Sequence, residues 1–251
     1  IPAAFFHLPS KKIAAICAML AGALYLALSG WNVATERAYI MVSMMFVAVL
    51  FDRRAISLRA VAMAALVILS LRPEVLPEPG FQMSFAATVA LVAVFTLVRH
   101  LRLMARWPSW LRGVMTVVMS SAVAGIATAP VAAAHFNRIA DLGLIANVIS
   151  VPIMGAVVMP AAVAAAVLTL VGLQGLALFV MEPAIRWILF VAQTVGNIEG
   201  AVTHIVTPPV QTLPLLALGG LFLVLWHGRI RVLGLVPMAL RAIFWLGVDR
   251  P

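Results

Sequence analysis

The sequence predicts an all-α protein, a polytopic transmembrane helical bundle of about eight to nine membrane segments, some of them broken or interfacial. Three observations predict it. The 251 residues are 65% hydrophobic and only 10% charged, with a mean hydropathy of +1.14, far outside the soluble range. The apolar runs approach the ~20 residues that a helix needs to cross hydrocarbon. Basic residues gather between alternate runs, as they do at the cytoplasmic ends of membrane helices.

The elements follow in order. Ile13–Leu28 is the first span, preceded by Lys11-Lys12 and closed by Ser29-Gly30. A polar link from Trp31 to Arg37 leads to a second span, Ala38–Phe51, ended by Asp52-Arg53-Arg54. Ile56–Leu71 is the third. Arg72–Leu97 begins as a charged loop broken by Pro73, Pro77 and Pro79, then turns apolar at Gly80. Proline costs little at a helix start, so the fourth helix begins there. Arg99–Arg112 is basic but rich in leucine and tryptophan, which suits a helix lying in the interface.

Gly113–Phe136 is a fifth span and contains Pro130. Leu142–Val171 is longer than one upright helix requires, and Asn147, Pro152, Gly155 and Pro160 interrupt it. It is therefore either steeply tilted or broken at mid-membrane. Leu176–Val195 carries Glu182 and Arg186 one helical turn apart, the spacing of a helical ion pair. Leu213–Trp226 follows, and Val232–Val248 is the weakest of the segments.

If the segments simply alternate, Lys11, Lys12, Arg53, Arg54, Arg59, the arginines of Arg99–Arg112, Arg229 and Arg231 share one side. Arg37, Arg72 and Arg138 fall opposite, with Glu36, Glu74, Glu78, Asp141 and Glu199. The positive-inside rule makes the first side cytoplasmic. The net charge of +9 needs no nucleic acid to explain it, because topology alone demands these lysines and arginines.

Other chemistry is sparse. Cys17 is the single cysteine, so there is no disulfide framework and no thiol–metal site. The histidines lack metal-ligand spacing, and no Walker loop or GxSxG elbow is present. No catalytic group, cofactor or metal is expected, and the chain is not read as an enzyme. Gln82 stands out, because an amide near hydrocarbon needs a partner or water. It either sits solvated at headgroup depth or faces a polar interior. Gln82 and Ser84 lie about 200° apart on a helix and cannot both face one lumen. Ser84 and Thr88 share a face, where packing is the favoured account. Arg37 either snorkels to headgroups or meets an anionic substrate at the outer mouth.

Taken together, several blocks resemble the ComEC-type competence proteins, the inner-membrane DNA uptake channels of transformable bacteria. Gly30…Arg37-Ala38-Tyr39-Ile40-Met41 is similar to that family's "G…RAxxM" helix. Pro79-Gly80-Phe81-Gln82-Met83-Ser84-Phe85 resembles its "dPGFQLSF" signature, with Glu78 in the acidic place and Met83 for leucine. Pro130…His135-Phe136, then Leu142–Asn147 and Val151-Pro152, resemble its "P…yHF…lgllaNllavP" block.

The resemblance implies one transmembrane competence domain over residues 1–251, read as a fragment without the family's flanking OB-like and metallo-β-lactamase-like domains. It implies a channel in the bacterial inner (plasma) membrane that imports single-stranded DNA during natural transformation. The implied partners are single-stranded DNA, membrane lipids, other DNA-uptake proteins and the missing domains of the same protein. Arg37, Gln82, Ser84, His135 and Asn147 match family positions and are the candidate DNA-path residues. From physics alone a small-solute permease fits broken helices with midplane polar groups equally well.

The orientation has a direct check. In a Cys17→Ala background, the cysteine of Glu78→Cys should react with an impermeant thiol reagent applied from outside. Reaction of the cysteine of Arg106→Cys under the same conditions would overturn the arrangement.

Overall fold

The structure, a computed structural model, describes residues 10–52, 57–101, 107–206, 208–209, 211–226 and 228–239. It is helical almost throughout, with six helices among the described residues long and apolar enough to cross a membrane. Leu58–Leu71, Thr212–Leu225 and Ile230–Ala239 are shorter apolar helices. Large apolar side chains point outward, and Leu170 on its turn is 86% exposed. Such a surface is at home in lipid rather than water. The chain divides into two compact units, Ile1–Leu97 and Val98–Pro251.

In the first unit α1 (Ser10–Leu28) packs beside α2 (Val33–Leu50), and α2 packs beside α3 (Leu58–Leu71). The α1–α2 turn is closed by backbone hydrogen bonds. Trp31 N–H reaches back to Leu26 O at 3.3 Å and Gly30 N–H to Ala27 O at 3.2 Å. That pair of bonds needs a left-handed residue at Gly30, whose φ is +70°, and glycine adopts it without a Cβ penalty. Asn32 then caps α2, its side-chain oxygen accepting from Ala34 N–H at 2.9 Å. The second span thus starts at Val33 rather than Ala38, and Arg37 lies inside the helix rather than in a link. Lys12 Nζ meets Asp52 Oδ2 at 2.7 Å, tying the start of α1 to the end of α2.

Ser57 caps α3, accepting from Ala60 N–H at 3.2 Å. Ala60, Val61, Ala64 and Ile68 are buried along one face of that helix. A short 3-10 turn, Pro73–Val75, leads to α4 (Pro79–His100), which starts at the proline as the loop chemistry predicts.

The interfacial helix expected over Arg99–Arg112 is not what forms at its ends. Arg99 and His100 continue α4, while Trp110 and Arg112 already belong to α5 (Ser109–Phe136); residues 102–106 lie outside the described residues. Apolar periodicity on both sides simply carries each long helix into the basic stretch.

In the second unit α5 ends at Asn137, left-handed with φ +57° and N–H bonded to Ala133 O at 3.1 Å. A strand, β1 (Arg138–Ala140), follows. The long run Gly143–Val171 is continuous rather than broken at mid-membrane. It is α6 (Gly143–Ile153), a π-helical turn (Met154–Val158) and α7 (Met159–Leu168), with Pro152 and Pro160 on either side of the turn. The wider turn keeps the backbone hydrogen-bonded, Met159 N–H reaching Met154 O, where prolines withhold donors. Gly172-Leu173 reverses the chain into α8 (Gln174–Gly196), which packs along α6, the π turn and α7. Arg186 Nη2 lies 2.6 Å from Glu182 Oε1 on α8, the ion pair that the spacing predicts.

β2 (Val202–His204) then pairs antiparallel with β1, Arg138 opposite His204 and Ala140 opposite Val202. The ribbon is a small addition to a helical fold that sequence reasoning read as plain loop. Asn137 Nδ2 donates to Ile205 O at 3.2 Å, Ile205 N–H to Asn137 O at 3.0 Å and Thr203 Oγ1 to Asp141 Oδ2 at 2.6 Å. The pairing places the loops after α5 and after α8 on one side of the membrane, since the two runs between them go across and come back. The described residues continue with α9 (Thr212–Leu225), a 3-10 stretch, Gly228–Gly234, and a helical turn to residue 239, so 240–248 of the proposed final span lie outside the described residues.

The register is testable. Asn137–Ile205 is a hydrogen-bonded pair, so Arg138 and His204 form the closer, non-bonded kind. The cysteines of Arg138→Cys and His204→Cys, in a Cys17→Ala background, should cross-link readily on mild oxidation. Equal yield from the out-of-register combination of Arg138→Cys with Val202→Cys would contradict the ribbon.

Candidate functional site

Two of the three family-like blocks, Gly30–Met41 and Pro79–Phe85, meet at one end of the first unit, where α2 begins, α3 ends and α4 begins. Glu36 and Arg37 are consecutive residues on α2 and turn to different partners. Glu36 Oε2 lies 3.1 Å from Arg72 Nη2, at the C-cap of α3. The distance is that of an ion pair, yet the alignment is not that of a hydrogen bond, and no described donor bonds this buried oxygen. The contact is best read as charge pairing. Its carboxylate side chain is 17% exposed and its guanidinium 41%.

Arg37 reaches to α4. A Cβ at position 80 would stand 3.0 Å from its Nη1 and 3.1 Å from its Nη2, so the guanidinium lies on the bare backbone at Gly80. Glycine there provides room for an arginine. The next residue, Phe81, is buried against Ile68 and Val75, with Ile40, Met41 and Phe85 packed around them. Its ring sits 4.5 Å from that of Phe85, tilted by 38°, a favourable aromatic geometry. Gln82 Nε2 donates to Leu76 O at 3.1 Å, so the amide is tied to the loop it follows. A crevice beside these contacts is lined by Glu36, Arg37, Arg72, Ile40, Ile68 and Val75.

Among the candidate residues, Arg37, Gln82 and Ser84 therefore belong to the first unit, while His135 and Asn147 belong to the second. Ser84 is partly buried on α4, and its carbonyl accepts from Thr88 Oγ1 at 2.7 Å. Thr96, Thr116, Thr128 and Thr169 likewise donate to carbonyls of their own helices. Several polar groups at membrane depth are thus satisfied locally. His135 is exposed near the end of α5, its ring 6.5 Å from that of Phe136. Asn147 is exposed on α6. Among the described residues no group of histidine, cysteine or carboxylates could hold a metal ion.

Sequence reasoning named Arg37 and Gln82 but counted Glu36 and Arg72 as outer charges, and took Gly80 as helix punctuation and part of a family-like motif, not as the seat of an arginine. The available signal was opposite charge at the start of one span and the end of the next, on the same side.

Fold and surface define a polytopic helical membrane protein. The chain belongs to the Competence protein family, whose pattern matches residues 1–230. It is 26% identical over 159 residues to "ComE operon protein 3" of Bacillus subtilis (strain 168), covering 63% of this chain and 19% of that protein. The chain therefore spans about a fifth of the relative that it matches. No solved structure matches significantly.

The contacts rank two substitutions. Phe81→Ala should lower stability by about 3–5 kcal/mol, the range for truncating a buried aromatic. Gln82→Leu removes the bond to Leu76, and since such bonds in a membrane protein average about 0.6 kcal/mol each, it should cost less than Phe81→Ala. Reversible unfolding in mild detergent measures both, and a larger loss for Gln82→Leu would contradict the packing described.

Proposed function

We propose that this chain is the channel portion of a DNA-uptake protein and carries one DNA strand across the bacterial inner membrane during natural transformation. The observation that carries this reading is the competence-family match over residues 1–230. The multiple candidate spans supply a membrane path. The chain does no covalent chemistry on the strand. Its partners are single-stranded DNA, surrounding lipid, other uptake proteins and the OB-like and metallo-β-lactamase-like domains of the same protein.

One observation favours a second reading, a small-solute permease. The π-helical turn within Gly143–Val171 is the sort of helical irregularity that borders cavities in transporters.

Deleting the coding region in the native host separates the two. Labelled duplex DNA should still bind the cell surface while entry of a strand into the cytoplasm falls to background, and a plasmid copy should restore it. Normal transformation by the deletion strain would end the DNA reading. Loss of growth on one solute, with transformation intact, would favour the permease.

A further inference from the structure

The loop between α3 and α4 is gripped at both ends by one turn of α2. Arg72 closes α3 and is paired with Glu36; Gly80 opens α4 and is covered by Arg37. Between these points Val75 is 5% exposed and packs into the Phe81 cluster, whereas Leu76 next to it is 54% exposed. Leu76 also offers the carbonyl that Gln82 binds. Two long side chains, adjacent in sequence, therefore hold the two ends of one loop, and the loop's apolar residue plugs the space between them.

We propose that Glu36 and Arg37 are positioning residues that act as a two-pronged clamp, holding the Arg72–Gly80 loop closed over Phe81. Glycine at position 80 is the seat of the second prong. The guanidinium of Arg37 is then engaged with the protein's own backbone, and its contribution to transport is made through the placement of the loop. This role needs no DNA and does not rest on the proposed substrate. A guanidinium suits it better than an ammonium, being planar and able to lie flat on exposed peptide groups.

The geometry fixes the order of effects. A single methyl at position 80 meets only the far end of a flexible side chain, so Gly80→Ala should displace Arg37 slightly. Gly80→Leu fills the seat and should act like loss of the arginine itself. Once the arginine is gone the seat is empty, so Gly80→Leu should then add little.

The test reads loop closure through the cysteine of Val75→Cys, in the full-length protein in native membranes with Cys17→Ala. A small maleimide should label it slowly, because labelling follows the population of the open loop. The cysteine of Leu76→Cys should label quickly and serves as the reference for access. Glu36→Gln should raise the rate at Val75→Cys by about two- to fivefold, the span that a partly exposed ion pair corresponds to. Arg37→Ala and Gly80→Leu should raise it by similar factors, and their combination by no more than the larger of the two. The melting temperature should stay within a few degrees of that of the parent, which distinguishes an open loop from a loosened bundle.

If Arg37→Ala fails to accumulate, Gly80→Leu and Glu36→Gln still report the two prongs separately. A charge exchange, Glu36→Arg with Arg72→Glu, should return labelling toward the parent rate. Unchanged labelling in Glu36→Gln and Gly80→Leu would overturn the clamp. So would factors for Arg37→Ala and Gly80→Leu that simply multiply.

Discussion

Hydrocarbon supplies no hydrogen-bond partner, and every feature of this chain is shaped by that lack. Backbone groups inside the membrane must be satisfied by their own segment, which leaves the helix as the default. Several hydroxyls follow the same rule: Thr88, Thr96 and Thr169 turn back to carbonyls four residues earlier instead of reaching outward. Prolines at 152 and 160 withhold donors from a long run, and a wider helical turn between them absorbs the mismatch without breaking the run. Among the described residues the paired strands are those of the β1–β2 ribbon, which lies between helix ends.

The clamp region answers a related problem, how to close a loop where a bundle meets water. Its body is apolar, with Val75 and Phe81 buried together, and its ends are held by charge. Arginine on glycine is a contact of shape as much as charge, because it needs bare backbone to lie on. The family-like residues from Arg37 to Met41 and from Pro79 to Phe85 thus meet as two sides of one junction. Gln82 belongs to that junction through Leu76, and its amide has a protein partner.

Much of this was legible in the sequence, for physical reasons. Long apolar runs and proline punctuation located α4 and α8 to within a few residues, and the Glu182–Arg186 spacing specified its ion pair. The start of α2 was misplaced because a polar link was inferred from Glu36 and Arg37, whereas Asn32 upstream is the residue that caps the helix. Charges near a membrane surface are as compatible with a first helical turn as with a loop. The ribbon escaped notice because three-residue strands carry no usable alternation, and their pairing is non-local. The site was half legible. Arg37 and Gln82 were unusual for their depth, but that Arg37 seats on Gly80 is a matter of three-dimensional approach.

The ribbon also sets a schedule for the growing chain. Asp141 and the Thr203 that binds it are separated by 62 positions in sequence, most of them the paired runs of α6, α7 and α8. At ordinary synthesis rates of about 5–20 residues per second, β1 must wait about 3–12 s before its partner strand exists. During that interval the end of α5 keeps its Asn137 cap but lacks the ribbon. Both intervening runs must be inserted as a hairpin before the two loops can meet. A ribosome pause or a failed insertion between 143 and 196 would therefore leave β1 without its mate, a defect of biogenesis rather than of the finished fold.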